Sequence, residues 1–271
     1  MSDASPERPR SRFFFRIRVS ILLAILAGLI LYAWADARSR AARNDWSRTL
    51  DVAIVLVKAG PIDDDVEAAL RARATALGDQ LDGQMRRYRQ GSSPFAFEIF
   101  ALDAPGLHPP APPDDGSILQ TIRYTWELRR FTSALDDRAG IGDRRFDSRI
   151  YLLATAGEDA RRKTVEGLSQ DGGRVGLVEV ELDGSMVDFA LFVVAHELFH
   201  TLGAPDTYDA TGNPKVPEGL ADPDRIPLYP QDASELMARH RAVSENRSVP
   251  PESLDELRVG HATARSIGWL P

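Results

Sequence analysis

The chain has 271 residues, 43% of them hydrophobic and 27% charged, enough apolar surface for one sizeable core, which excludes a disordered, collagen-like or coiled-coil protein. Lys and Arg number 33 against 40 Asp and Glu, a net charge of -7, so the chain is not built to hold nucleic acid through its phosphates. Cysteine is absent, which excludes disulfides, thiolate zinc sites, iron–sulfur ligation and cysteine nucleophiles together and leaves any metal to His, Asp or Glu.

Residues 1–18 form a basic tail with Arg8, Arg10, Arg12, Arg16 and Arg18. Residues 19–35 are uncharged and rich in Leu and Ile, at the short end of a membrane span. Basic residues beside a span resist translocation, so the tail is expected in the cytoplasm and the rest of the chain in the periplasm or outside the cell. Arg38, Arg40 and Arg43 on the far side weaken that asymmetry. Tyr32 and Trp34 fall where an interfacial aromatic belt would lie and favour a retained single-pass anchor. Ala33-Trp34-Ala35 also reads as a signal-peptide cleavage site, which would make the protein secreted.

Residues 36–49 are polar and read as a linker, with the folded domain expected over 50–271. Leu50 to Val57 is apolar on both faces, as in a strand covered on each side. Ile62 to Gln90 predicts a helix, with Asp63, Asp64 and Asp65 in its first turn, Arg86, Arg87 and Arg89 in its last, and Val66, Leu70, Leu77, Leu81 and Tyr88 on one stripe. Phe95 to Leu102 alternates like a strand, and the proline-rich segment from Ala104 to Gly116, with His108, reads as a loop. A second helix is expected from Ile118 to about Asp137, carrying Ile122, Trp126 and Phe131. Arg149 to Ala156 is another buried strand, Gly157 to Gly173 a polar connection, and Arg174 to Leu182 a strand with one wetter face, read as a candidate sheet edge. A very apolar helix then spans Val187 to Leu202. This order predicts an α/β layer on a mostly parallel sheet.

That last helix contains His196-Glu197-Leu198-Phe199-His200. Positions i and i+4 lie on one helix face, so both imidazoles can chelate one cation, with Glu197 beside it. Such a set suits Zn²⁺, leaving a position for a water acidified by the metal and Glu197 as its general base. HExxH alone also occurs on ordinary helix surfaces. Here Phe189, Leu191, Phe192, Val193, Val194, Phe199 and Leu202 surround it, and burying two His and a Glu without partners is costly. Gly203 stands where a left-handed C-cap is wanted and Pro205 blocks further helix, so the chain turns back and carries Asp206 toward the metal.

The full string His196-Glu197-x-x-His200-x-x-Gly203-x-x-Asp206 resembles the metzincin metallopeptidases, in the variant where Asp replaces the third His, as in the snapalysin type. The resemblance implies a mixed twisted sheet, an active-site helix, a Met-turn under the zinc and a C-terminal helix. Glu235-Leu236-Met237-Ala238 looks like that turn, with Met237 below the site and a closing helix from about Ser253 to Ile267. No Tyr follows Met237 directly, so the extra tyrosine ligand of some metzincins does not carry over.

Pro205-Asp206-Thr207-Tyr208-Asp209 also resembles the stretch after HExxH in immune inhibitor A-like peptidases, where a later Glu is the ligand, so Glu218 competes with Asp206. The proline- and glycine-rich surroundings of Glu218 disfavour the rigid helix such a ligand occupies. Tyr208, Tyr229 and His240 are candidates for oxyanion contacts, His240 more readily an ordinary surface residue. Asp209 is a turn cap or calcium ligand, and His261 a structural residue of the last helix. The prolines between Thr211 and Gln231 predict a loop bordering a substrate cleft.

The expected function is a membrane-anchored zinc metallopeptidase, of the endopeptidase kind, acting on peptides or proteins. The rivals are a tethered, non-catalytic, zinc-stabilised binding or assembly protein, and an amidase acting on a non-peptide amide by the same chemistry.

Overall fold

A computed structural model of the chain describes residues 10–113, 117–141, 146–155, 165–169 and 173–270. The tail before residue 10 and most of the connection from Gly157 to Gly173 lie outside them. The chain divides into two units, Met1–Ala42 and Arg43–Pro271. The first consists of helix α1 (Arg10–Arg43), up to its last residue. From Phe14 onward it is long and apolar enough to cross a membrane, and Leu22, Leu26, Ile30 and Trp34 are all exposed.

The second unit is an α/β layer whose elements run β1 (Leu50–Lys58), α2 (Asp64–Arg86), β2 (Phe95–Asp103), α3 (Ile118–Ala139), β3 (Ser148–Thr155), β4 (Val165–Ser169), β5 (Val175–Glu181) and α4 (Val187–Thr201). The sheet order is β2-β1-β3-β5-β4, parallel throughout except for β4, which pairs antiparallel with β5. The alternation within β1 explains its continuous apolar run. Val52, Ile54 and Leu56 face a core shared with α2 and α4, while Ala53, Val55 and Val57 face a second core with Leu135, Phe146 and Tyr151. A strand covered on both faces has no polar position to spare, and each buried Val, Ile or Leu side chain contributes about 1.5–3 kcal/mol.

Helix α2 buries the expected stripe, Val66, Leu70, Leu77 and Leu81, joined by Ala74 and Met85. Helix α4 is buried from Ala190 to Thr201, because it lies between the sheet and the C-terminal segment; its apolar character all round follows.

Three expectations need correction, and the second helix, present as α3, packs less than its apolar residues suggest. The strand read as a candidate sheet edge, β5, is interior, because β4 forms inside the stretch taken for polar connection and covers its outer side. In α3, Ile122 and Trp126 are exposed at 61% and 60%; only its C-terminal half, with Leu135, meets the sheet core. The expected helix from Ser253 to Ile267 is broken into a single 3-10 turn at Leu254–Glu256, a short strand, and a helix confined to His261–Ser266. Residues Arg43, Asn44 and Trp46, assigned to a polar linker by composition, are packed into this unit. Arg43 donates to the carbonyl of Thr201, Asn44 to that of Leu202, and Trp46 to that of Ile267. Arg43 and Asn44 thereby satisfy carbonyls at the end of α4 that the helix itself leaves open, and Trp46 does the same just after the helix His261–Ser266.

After α4 the chain forms a long loop to Ala233, which Gln231 ties together: its side chain accepts from Asp222 N and donates to the carbonyls of Asp222 and Leu228. Strand β6 (Ser234–Glu235), a 3-10 turn (Leu236–Ala238), the hairpin β7 (Arg241–Ser244) and β8 (Arg247–Val249), and β9 (Leu257–Arg258) follow, with β9 pairing parallel to β6. Helix α5 (His261–Ser266) closes the chain.

Candidate metal centre

The C-terminal end of α4 is built as the sequence predicts. Gly203 has φ of +94°, Ala204 N donates to Phe199 O at 3.0 Å, and the reversal brings Asp206 back over the helix. His196, Glu197 and His200 are buried, and their ligand atoms lie within 4.8 Å of one another. The two imidazole Nε2 atoms are 3.1 Å apart, and Oδ1 of Asp206 lies 3.4 Å from that of His196 and 3.2 Å from that of His200.

The other ring nitrogens decide what meets at this point. Nδ1 of His196 lies 3.0 Å from the carbonyl of Leu236 and Nδ1 of His200 lies 2.8 Å from that of Ala204. A carbonyl only accepts, so each Nδ1 carries the proton, and in the neutral ring each Nε2 presents a lone pair. Two nitrogen lone pairs and a carboxylate oxygen therefore converge with no proton to share. Oδ1 of Asp206 and Oε2 of Glu197 are both buried and find no hydrogen-bond donor among the described residues. Such a cluster of acceptors calls for positive charge at its centre, which is what a metal ion supplies.

Burial alone would lower the pKa of His200, but its contact with Asp206 and the charges of Glu197 and Asp206 outweigh burial and raise it. Burial likewise opposes ionisation of Asp206, yet the two imidazoles hold its carboxyl far below the usual range.

The floor of the site is the 3-10 turn. Its Leu236 carbonyl holds His196, and its Met237 carbonyl accepts from Thr207 N at 3.1 Å. Met237 is fully buried beneath the cluster, and the turn positions both His196 and the residue after Asp206 through its main chain. Tyr208 sits with its ring 6.4 Å from that of His196, at an interplanar angle of 24°. Burial, then the nearby Asp206, raises the Tyr208 pKa, while Arg239 opposes them. His240 also lies within electrostatic range of His196, its pKa lowered by burial and then by Arg239.

The remaining candidates stand elsewhere. Glu218 and His108 are exposed. Asp209 caps its own loop, Oδ1 accepting from Thr211 N at 2.8 Å and Asn213 N at 3.1 Å. His261 begins α5 and packs edge-on against Tyr88 at 5.4 Å. Tyr229 is half-buried in the long loop.

Two residues that matter here were not singled out in the sequence. Glu235 lies fully buried under the site; its signal is a lone acid in the run Ala233-Ser234-Glu235-Leu236-Met237-Ala238, which must be partnered once buried. Gly176 in β5 carries the other, since a glycine inside a strand often marks close approach of another backbone. A Cβ built there would meet Cδ1 of Ile150 at 2.8 Å and Cβ of Glu197 at 3.0 Å. Gly176→Ala is therefore expected to push α4 off the sheet, destabilising the fold by about 1–3 kcal/mol and displacing Glu197. Urea unfolding checks this, and wild-type stability would mean that the neighbours give way freely.

No family model and no curated protein matches the chain. Among solved structures it is similar to archaemetzincin from Methanopyrus kandleri, at 14% identity over 61% of this chain and 79% of that one, with a TM-score of 0.31. It is also similar to OgpA from Akkermansia muciniphila, at 16% identity over 80% of this chain and 59% of that one, with a TM-score of 0.40. The fold and the site together define an α/β protein with a buried His–Glu–His group able to hold a metal ion.

Proposed function

We propose that the chain is a membrane-anchored zinc metallopeptidase of the metzincin kind, with His196, His200 and Asp206 as ligands and Glu197 as general base. The observation that supports it most is the meeting of two Nε2 lone pairs and the Asp206 carboxylate beside a buried Glu197 whose Oε2 finds no donor among the described residues. Two imidazoles and a carboxylate are a donor set zinc prefers. When bound, the ion supplies the positive charge that acidifies a water and polarises a peptide carbonyl.

The chain's own residues do the rest. The carbonyls of Leu236 and Ala204 fix both rings in the tautomer that presents Nε2. Glu197, one residue along the helix from His196, accepts a proton from the attacking water and returns it to the departing amine. Tyr208, whose ring lies 6.4 Å from that of His196, would donate to the carbonyl oxygen of a substrate. Helix α1 would anchor the protein, with the basic tail inside and the catalytic unit on the periplasmic or outer face.

The test joins metal content to turnover. The purified protein is expected to hold one zinc and to cleave a mixed peptide library, and His196→Ala to lose both. Bound zinc without cleavage of peptides or other amides would instead favour the tethered binding protein, and cleavage confined to non-peptide amides the amidase.

A further inference from the structure

Glu235 is a buried carboxylate that the proposed reaction does not use. Its side chain is nevertheless saturated with donors. Oε2 accepts from the main-chain N–H of Met237 at 2.8 Å and of Ala238 at 3.0 Å, and from the Thr207 hydroxyl at 2.9 Å. Oε1 accepts from Gly260 N at 3.0 Å and from the Thr263 hydroxyl at 2.7 Å. Three separate segments thus meet on one side chain: the ligand loop at Thr207, the turn under the rings, and the start of α5.

Each segment has its own link to the cluster or to the fold. Thr207 follows Asp206 directly, and its N–H donates to Met237 O. The turn holds His196 through Leu236 O. Gly260 approaches so closely that a Cβ there would meet Cγ of Glu235 at 3.1 Å, so a larger residue would crowd the third contact. A capping Ser or Thr has a single oxygen and would satisfy the turn alone. A carboxylate has two, which lets one residue fix the distance between the turn and the ligand loop while tying both to α5.

We propose that Glu235 is a positioning residue of the metal centre: through Thr207 and the turn it sets Asp206 relative to His196, and thereby the affinity and geometry of the site. This rests on the reading of His196, His200 and Asp206 as ligands. Residues that orient ligands from behind commonly change metal affinity by about 10- to 100-fold.

The test compares two isosteric changes, Thr207→Val and Thr263→Val, in the full chain. Each deletes one hydroxyl bond to the same carboxylate, but only Thr207 adjoins a ligand. Zinc affinity is read by competition with a chromophoric chelator, and coordination by the visible spectrum of the cobalt-substituted protein. Thr207→Val is expected to weaken zinc binding by about 10-fold and to shift the cobalt bands, with Thr263→Val at wild-type affinity and spectrum.

Glu235→Gln, which turns one acceptor into a donor facing donors, is expected to exceed Thr207→Val in both readouts. Asp136→Asn, a buried acid on the other face of the sheet, serves as the control that lowers Tm without touching zinc. Equal affinities for the two Thr variants, or a Glu235→Gln protein that loses Tm but keeps wild-type affinity and spectrum, would overturn the proposal. Failure of the wild type itself to bind zinc would instead sink the metallopeptidase reading.

Discussion

Glu197→Gln is expected to retain the wild-type zinc stoichiometry and to lose roughly 10²–10⁴-fold in kcat/KM. The amide matches the carboxylate in shape, so the helix and the rings of His196 and His200 stay in place, held by the carbonyls of Leu236 and Ala204. What disappears is the one basic group beside the ligands that no donor engages: Oε2 of Glu197 is buried and without a hydrogen-bond partner among the described residues. Because the loss falls on proton transfer, kcat should drop while KM changes little. Metal analysis and steady-state kinetics on one peptide separate the two effects. Wild-type turnover would remove Glu197 from the mechanism, and a missing ion would make it a structural member of the site instead.

The local part of the site was legible in the sequence. HExxH puts two rings on one helix face by period alone, and Gly203 with Pro205 forces the reversal that brings Asp206 back, so helix geometry and a left-handed φ settle positions within a few residues. What holds the ring of His196 from behind was not legible. The carbonyl of Leu236 and the carboxylate of Glu235 reach the site from far along the chain, and only their burial reveals that they must be partnered.

The same boundary runs through the fold. Continuous apolar runs in β1 and β3 announce a doubly covered sheet, yet apolar periodicity in α3 could not say whether a partner lies opposite Ile122 and Trp126, and none does among the described residues. The short segment that becomes β4 draws its strand character from the neighbouring β5, as edge pairing often does. The expected closing helix fails at Leu257-Arg258, which pair with Ser234-Glu235 as a strand instead, a long-range contact that local helix propensity does not encode.

Removing the ion should lower stability by an amount that depends on pH. Zinc at about 1,000 times its Kd would add about 4 kcal/mol to the folded state, and it needs both rings neutral at Nε2, so acid weakens it. In the metal-free protein the sign is opposite. The folded-state pKa of His200 lies above its ordinary value of 6.5, as the contact with Asp206 and the charge of Glu197 outweigh burial. A raised pKa gives stability that is fully present below about pH 6.5 and is lost as pH rises through the folded-state value.

Asp206, held low, stays charged across this window and adds no slope. Asp147, Asp188 and Glu67 also have lowered values. Asp188 and Glu67 are held down by Arg73 and Lys58, and Asp147 by Arg48 against the opposing effect of burial. They lose stability only as pH falls below the ordinary carboxylate range, and they do so equally with and without zinc. The Tm difference between zinc-loaded and chelator-treated protein should thus be widest near pH 8 and shrink steadily toward pH 5. A difference that stays constant from pH 8 to pH 5 would mean that the rings of His196 and His200 take no part in holding the ion.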